Sequence, residues 1–234
     1  MIEFENVGVA VPVPNADGRG WSSRTILEAI NLSLAEQRVA FVGGNGSGKS
    51  TLLRLVNGLT AATTGRVLVD GLDPAQHGGR VRRRVGFVFT DPISQLVMPT
   101  PLEDVELSLR RAIGDRSARR RAALSILAER GLAERAEQSI YDLSGGERQL
   151  AALASVLAVE PAILVMDEPT TLLDLRNRHR FCATLATLPH QVLLATHDLD
   201  LAREADRVIV VEDGRIAADG PAAETVGFYI SRQR

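Results

Sequence analysis

The chain of 234 residues is long enough for one domain with a buried core and short for two. Its formal net charge of −2 argues against a basic nucleic-acid-binding surface, and its single cysteine, Cys182, excludes an internal disulfide framework and fits a reducing compartment. The acidic start at residues 1–5 is unlike a signal peptide, and no apolar run approaches the roughly 20 residues of a membrane-spanning helix, so we expect any membrane association to depend on a partner.

The predicted elements alternate between strands and helices along the chain. Residues 2–13 alternate in polarity and end in prolines, which predicts an edge strand, and the Gly- and Asp-rich residues 15–21 predict a loop. Short apolar runs predict further buried strands at residues 39–42, 67–69, 85–89, 163–166, 192–195 and 208–211. Helical patterning covers residues 49–57, 104–111, 117–130 and 146–157. Since the last three helices fall between two predicted strands, we predict an α/β core with a helical insertion.

A phosphate-binding motif follows the strand predicted at residues 39–42. The pattern G-x-x-x-x-G-K-[ST] is matched by Gly43, Gly44, Asn45, Gly46, Ser47, Gly48, Lys49 and Ser50, with Thr51 next in the predicted helix. Glycines let backbone N–H groups close around phosphate oxygens, and the helix that follows presents its positive end to the anion. Lys49, the only lysine of the chain, would reach the β- and γ-phosphates, and the Ser50 hydroxyl would hold Mg²⁺. The alternative is a Gly-rich turn that binds nothing, but strand, loop and helix occur together here.

Two adjacent carboxylates follow the strand predicted at residues 163–166. Strand ends are where α/β sheets place ligands, and successive strand residues point to opposite faces. Asp167 therefore fits a Mg²⁺ ligand, whereas Glu168 fits a base that orients or deprotonates an attacking water. By itself such a pair is ordinary turn chemistry; together with the phosphate loop it indicates a P-loop enzyme.

A third motif consists of Leu143, Ser144, Gly145, Gly146, Glu147, Arg148 and Gln149. A serine hydroxyl, two glycines that permit close backbone approach and the start of a helix together form a second anion site. The alternative is a capped helix start, because Ser144 and Glu147 have the spacing of a capping box. A cap and a phosphate contact use the same geometry, so both interpretations can hold. The motif resembles the signature of the ABC ATPase family.

The resemblance to ABC ATPases covers nearly the whole chain in the family's order of motifs. It implies one nucleotide-binding domain over residues 1–234, with a P-loop NTPase core of ABC ATPase type, an antiparallel β subdomain and a helical subdomain at about residues 91–158. It implies ATP and Mg²⁺ as cofactors, a role for Asp174 in communication across an ATPase dimer, and a γ-phosphate contact for His197. In this family each phosphate loop faces the partner's signature segment, so a homodimer or a sister ATPase chain is implied.

Two positions depart from the family pattern. The family usually has an aromatic residue near the end of the first strand, stacked on adenine; Val11 stands there, and Trp21 is either its substitute or an exposed loop aromatic. The family's glutamine after the strand at residues 85–89 reaches Mg²⁺ and the attacking water, but this chain has Thr90. The threonine oxygen is about two bonds closer to its backbone, so either water or Gln95 would have to bridge, and we expect water.

Residues 91–100, with Glu103, Asp104 and Val105, resemble the energy-coupling factor (ECF) class of vitamin and metal importers. Within that class, Thr90, residues 167–177 and the short C-terminus are most similar to the ATPases of biotin importers, and those of cobalt and nickel importers are the alternative. The resemblance implies a transmembrane coupling (T) subunit and a substrate-binding membrane (S) subunit as partners, and a peripheral location on the cytoplasmic face of the membrane.

A soluble ABC-type ATPase that acts on nucleic acid or ribosomes is the competing class of function. Such proteins commonly carry two cassettes, coiled coils and basic surfaces. This chain has one set of motifs, no heptad run and a net charge of −2, so we expect no nucleic-acid partner.

Overall fold

The computed structural model describes residues 1–15 and 18–233, which form two compact units. The first unit comprises Met1–Val85 and the chain from Gln191 onward, and the second comprises Gly86–His190. Residues 16 and 17 of the predicted loop at 15–21 lie outside the described residues. Within the described residues, no helix is both long enough and apolar enough to cross a bilayer.

The fold is of the mixed α/β class. In chain order its elements are β1 Ile2–Pro14, β2 Trp21–Leu34, β3 Arg38–Val42, α1 Lys49–Val56, β4 Thr64–Val69, α2 Pro74–Val81, β5 Val85–Val88, α3 Pro101–Leu109, α4 Arg116–Glu129, α5 Gly145–Leu157, β6 Ile163–Asp167, α6 Leu175–Ala186, β7 Gln191–Ala195, α7 Leu199–Arg203, β8 Arg207–Glu212, β9 Arg215–Pro221 and α8 Ala222–Arg232.

The first unit contains an antiparallel sheet with strand order β2-β1-β4. The prediction of β1 as an edge strand was wrong, because β1 is the central strand as far as Gly8, the last residue that pairs with β4. Beyond that point only β2 pairs with it, so Pro12 and Pro14 interrupt no ladder on the open side. Trp21 was also misassigned to a loop: it begins β2, opposite Pro14.

Strand β2 was not predicted from the sequence, because its buried and exposed residues do not alternate regularly. Its first five residues are all exposed, and buried positions appear only from Leu27 onward. The pairing with β1 contains register shifts, and Ala29 has a positive φ of 52°, which breaks the period-two pattern of side chains. Pairing with β1, rather than a pattern in its own residues, therefore defines this strand.

The first unit also contains strands in the order β7-β3-β8-β9. Strand β3 pairs in parallel with β7 on one side and with β8 on the other, and β9 is antiparallel to β8. Four of the five residues of β3 are fully buried, as expected for a parallel strand covered on both faces. This explains why continuous apolar runs predicted β3, β7 and β8 correctly. Strand β9 was not predicted, because its residues alternate between exposed and half-buried and form no apolar run.

The second unit contains strands β5 and β6 with helices α3 to α6. The three predicted helices of the insertion are confirmed as α3, α4 and α5, with ends that differ from the prediction by at most three residues. Each begins with a capping side chain, namely Thr100, Asp115 and Ser144. The predicted strand at 163–166 is confirmed and also includes Asp167, which is buried like the rest of β6.

Gly65 provides a test of the antiparallel sheet. Its φ is +69°, and a Cβ atom built there would lie 2.2 Å from the Asn6 carbonyl oxygen and 2.3 Å from that of Glu5. We expect Gly65→Ala to lower the free energy of unfolding by about 2–5 kcal/mol, because left-handed backbone strain adds to a steric clash. Gly79→Ala is the matched control, since Gly79 lies in α2 with no atom near its built Cβ, and it should be neutral or slightly stabilising. Equal melting temperatures for the two variants would contradict this account of the sheet.

Candidate functional site

The phosphate loop connects β3 to α1 and depends on its glycines. Gly43 and Gly48 have φ values of 151° and 110°. A Cβ at Gly43 would lie 2.1 Å from the Val211 carbonyl oxygen, and one at Gly48 would lie 2.6 Å from Leu27 Cδ2. By contrast, the Cβ positions of Gly44 and Gly46 face open space. The loop is thus packed tightly against the protein on one side and open on the other, as an anion cradle requires.

The side chains of the loop supply buried donors. Lys49 is 5% exposed, and its Nζ donates hydrogen bonds to the carbonyl oxygens of Gly43 at 2.9 Å and Gly44 at 3.0 Å. Ser47 Oγ is buried and has no hydrogen-bond partner among the described residues. A buried hydroxyl without a partner is costly, and an anion in the loop would satisfy it. Ser50 and Thr51 are half-buried in the first turn of α1, whose positive end adjoins the loop.

The acidic pair ends β6 in the second unit. Asp167 is 3% exposed, and Glu168 is half-buried with a positive φ of 51°. Left-handed backbone costs a residue other than glycine about 1–2 kcal/mol, and such strain is concentrated at functional sites. Thr171 helps to hold the turn, because its Oγ1 donates to Glu168 Oε2 at 3.2 Å and its N–H to the Glu168 carbonyl at 3.3 Å. The chain therefore turns sharply at Glu168, as needed to aim the two carboxylates differently.

Thr90 lies beside this pair. Its Oγ1 donates a 2.7 Å hydrogen bond to the backbone carbonyl of Asp167, and the oxygen can still accept a hydrogen bond from water. The amide of Gln95 is used elsewhere: its Oε1 accepts from the Phe89 N–H at 3.1 Å, and its Nε2 donates to the Ala152 carbonyl at 3.4 Å. These contacts favour water over Gln95 as the bridging group.

The signature motif begins helix α5. The predicted capping box is confirmed, because the Glu147 N–H donates to Ser144 Oγ at 3.3 Å and the Ser144 N–H donates to Glu147 Oε2 at 2.8 Å. The hydrogen bond from the Ser144 N–H is the main reason that the pKa of Glu147 lies below its usual value. Leu143 is buried, while Ser144 remains exposed. The cap thus fixes the helix end and leaves the serine at the surface.

A second cap packs beneath the signature motif. Asp174 begins α6, with Oδ1 accepting from the Asn177 N–H at 2.8 Å and Oδ2 from Asn177 Nδ2 at 2.9 Å. The Asn177 side chain lies under Gly146, where a built Cβ would be 2.3 Å from Asn177 Cγ, and the Leu172 carbonyl lies 3.2 Å from the Cβ position of Gly145. The two signature glycines therefore allow this close contact, and it joins the Asp174 segment to the start of α5.

His197 follows β7 in the first unit. It is exposed, whereas the preceding Thr196 is fully buried and its Oγ1 accepts a hydrogen bond from the Asp198 N–H at 3.0 Å. Asp198 in turn caps α7 through Leu201 N–H. His197 thus stands at a strand end between two fixed residues. Val11, which occupies the position of the family's stacking aromatic, is 38% exposed in β1, and its possible substitute Trp21 is 71% exposed in β2.

Comparison with known proteins identifies the family. A family model described as ABC transporter matches residues 27–171. The biotin transport ATP-binding protein BioM of Rhizobium etli is 41% identical over 228 residues, covering 97% of this chain and 97% of the relative. BioM of Rhodobacter capsulatus is 37% identical over 215 residues, covering 92% of this chain and 90% of the relative.

Two solved structures share the fold. The ATP-binding cassette MJ0796, in a dimeric post-hydrolysis state bound to ADP and phosphate, matches with a TM-score of 0.84 and 29% identity, covering 95% of this chain and 99% of that one. The protein cbiO1 of Clostridium perfringens, part of the ABC transporter complex cbiONQ, matches with a TM-score of 0.80 and 27% identity, covering 99% and 93%. With the phosphate loop, acidic pair and signature motif described above, these matches establish that the chain belongs to the ABC transporter family, as an ATP-binding subunit that hydrolyses ATP to drive transport.

Proposed function

We propose that this chain is the ATPase subunit of an ECF-type importer, and that the imported substrate is biotin. The observation that carries the proposal is the similarity to BioM of R. etli over nearly the full length of both proteins, at 41% identity. The match to cbiO1 of a cbiONQ complex supports the ECF class and keeps a cobalt, nickel or other vitamin importer as the second candidate. The transported substrate does not contact an ATPase subunit, so its identity rests on relatedness.

Different groups of residues have separate proposed roles in ATP binding and hydrolysis. Residues 43–51 would bind the phosphates, with Lys49 and the Ser47 hydroxyl as buried donors. Glu168 would hold or deprotonate the attacking water, and His197 would contact the γ-phosphate. Leu143, Ser144, Gly145, Gly146 and Glu147 would complete the site of a second ATPase chain, with Asp174 beside them.

Mg²⁺ fits the donors available in this chain. The ion prefers oxygen ligands, which the Ser50 hydroxyl and the buried Asp167 carboxylate provide, together with phosphate oxygens of ATP. When bound there, it would neutralise charge on the phosphates. Thr90 would add an oxygen for a bridging water while it holds the Asp167 carbonyl.

The proposed partners are inferred from the similarity to BioM and cbiO1. We expect a dimer of ATPase chains, either two copies of this one or this chain with a sister subunit, attached to the cytoplasmic face of the membrane by a T subunit and serving a small S subunit. We expect no nucleic acid among the partners, given the net charge of −2.

Uptake measurements test the substrate. Cells expressing the chain with its membrane partners should accumulate labelled biotin in an ATP-dependent manner and should not accumulate labelled cobalt or nickel above background. The chain should copurify from membranes with an integral coupling subunit and a small membrane protein. Metal uptake without biotin uptake would overturn the assignment to biotin, and copurification with ribosomes alone would overturn the transport role.

The proposed base is tested by Glu168→Gln. The change keeps the size of the side chain and removes the carboxylate, so we expect ATP binding to persist and steady-state hydrolysis to fall by at least about 100-fold. Glu160→Gln is the matched control, because Glu160 is an exposed glutamate of the same unit with nearly the same φ, 50° against 51°. It should hydrolyse ATP at the normal rate. A Glu168→Gln variant that turns over within tenfold of wild type would rule out the assignment.

The dimer is tested by Ser144→Arg in the Glu168→Gln background. Size-exclusion chromatography should show an ATP-Mg²⁺-dependent dimer for the Glu168→Gln variant. The additional Ser144→Arg change should prevent this dimer, because it adds bulk and charge at the proposed phosphate contact. ATP affinity of the monomer should remain within about threefold, because Ser144 lies outside the phosphate loop. Ser117→Arg, at an exposed position of α4, is the control and should dimerise normally. Normal dimerisation of the Ser144→Arg variant would argue against the proposed role of the signature motif.

A further inference from the structure

Positive charge is concentrated where helix α3 passes into helix α4. We call residues 110–121 the arginine-rich turn. Its six arginines are Arg110, Arg111, Arg116, Arg119, Arg120 and Arg121. Asp115 is the only acidic residue of the turn, which therefore has a net charge of +5. Since the formal total is −2, the rest of the chain carries −7, and the near-neutral total conceals a strongly basic segment in an acidic chain.

The six arginines lie at one end of a helix pair. Helices α3 and α4 pack against each other, and a connection of six residues joins the end of the first to the start of the second. From Arg116 to Arg121 the helix axis advances by only about 7.5 Å. Arg119 closes the turn, because its Nη1 donates to the carbonyl oxygens of Ile113 at 3.0 Å and Gly114 at 3.4 Å. The positive charges are therefore held close together.

Most of these charges are not neutralised within the protein. Arg120 forms an ion pair with Glu137. The Asp115 carboxylate is engaged as the N-cap of α4, where it accepts from the Ala118 N–H at 2.7 Å. Four exposed arginines of the turn form no ion pair in the part of the chain that the structure describes. They are Arg110, Arg111, Arg116 and Arg121.

This arrangement is electrostatically unfavourable for α4. The first turn of a helix favours acidic residues, because the backbone N–H groups there are partly positive. The first turn of α4 contains no acidic residue, and four of its first six residues are arginines. Arg116 and Arg120 are four residues apart, so like charges are neighbours on the helix surface. A helix that retains such repulsion breaks a local rule of stability, as residues that bind a partner commonly do.

The chemistry of the turn fits an anionic bilayer surface better than it fits nucleic acid. Leu107, in the last turn of α3, is 42% exposed at the same end of the helix pair, and an apolar side chain strengthens contact with a lipid interface. No aromatic residue occurs in residues 105–121, so nucleic-acid bases would find no ring on which to stack. Acidic phospholipids attract clusters of arginine that come within about 10 Å of the headgroups.

We propose that the arginine-rich turn is a membrane-contact site that binds the phosphate groups of acidic phospholipids such as phosphatidylglycerol. The site goes beyond the proposed function, because this binding requires neither a transmembrane subunit nor biotin. In an assembled transporter it would add a direct lipid contact to the attachment through the T subunit. The attraction is shared among several arginines and is screened by salt, so the contact is reversible.

The test is cosedimentation of the full chain with vesicles of phosphatidylcholine that contain about 30 mol% phosphatidylglycerol, compared with phosphatidylcholine alone. We expect a partition coefficient at least about 30-fold higher for the anionic vesicles at low salt, and loss of this preference at about 0.5 M salt. The combined change Arg111→Gln, Arg116→Gln and Arg121→Gln should lower it at least about 30-fold, since each arginine contributes about fivefold. Lysine at the same three positions keeps the charge and should retain binding within threefold.

The matched control is the combined change Arg80→Gln, Arg82→Gln and Arg83→Gln. It removes the same charge from exposed arginines of the first unit, where two acidic residues, Asp70 and Asp73, lie nearby in sequence. Partition of this variant should stay within threefold of wild type. An equal loss in both variants would show that total charge drives the binding and would overturn the proposal. Equal partition of wild type to the two kinds of vesicle would also overturn it.

Two further measurements separate lipid binding from other roles of the arginines. The variant with glutamine at positions 111, 116 and 121 should keep or raise its Tm, because it loses repulsion, and its ATPase rate without lipid should stay within twofold. A lower Tm would show that the arginines serve the fold and would overturn the proposal. Tighter binding of a single-stranded RNA oligonucleotide than of the anionic vesicles would overturn lipid as the ligand. None of these assays contains a transport step, so their results are independent of the assignment to biotin.

Discussion

A buried ammonium group controls the geometry of the phosphate loop. Lys49 is almost fully removed from solvent, and a desolvated cation must be hydrogen-bonded. Its Nζ donates hydrogen bonds to two carbonyl oxygens of its own loop, those of Gly43 and Gly44. These bonds require the backbone of the loop to curve around the side chain. The curl needs positive φ at Gly43 and Gly48 and brings the loop against Val211 and Leu27.

The motif residues of the second unit serve the fold and the chemistry together. Ser144 and Asp174 both cap helices, and Thr90 ties the end of β5 to the end of β6. Each of these contacts fixes a side chain in place before any ligand binds, which is how a site is preorganised. Asn177 adds to this by bonding Asp174 while it packs under Gly146. A structural and a functional interpretation of such residues are therefore complementary.

At Glu168 the backbone conformation, rather than a side-chain contact, preorganises the site. Its left-handed conformation is unfavourable by itself and persists because Thr171 closes the turn and because β6 fixes the residue before it. The unfavourable conformational free energy at this residue is the consequence of placing a carboxylate at a sharp turn directly after a buried strand. Glycine would relieve the strain and would lose the proposed base.

The sequence alone determined the features that depend on neighbouring residues. The buried parallel strands, the phosphate loop, the helical insertion and the capping box at Ser144 and Glu147 all follow from short-range patterns, since a strand covered on both faces must be apolar throughout and a cap needs only three residues of spacing. The resemblance to ABC ATPases rested on the same local motifs, which is why the family assignment could be made before the fold was known.

Only the tertiary structure decided which distant groups meet. Strand β2 exists because β1 pairs with it, and β1 is central because β4 covers its other side as far as Gly8. The partners of Gln95 and Asp104 lie up to 57 residues away, at Ala152 and Ser155, so no spacing rule could have found them. Long-range pairing is set by the balance of packing and chain entropy over the whole fold, whereas a local motif carries its own geometry in consecutive residues.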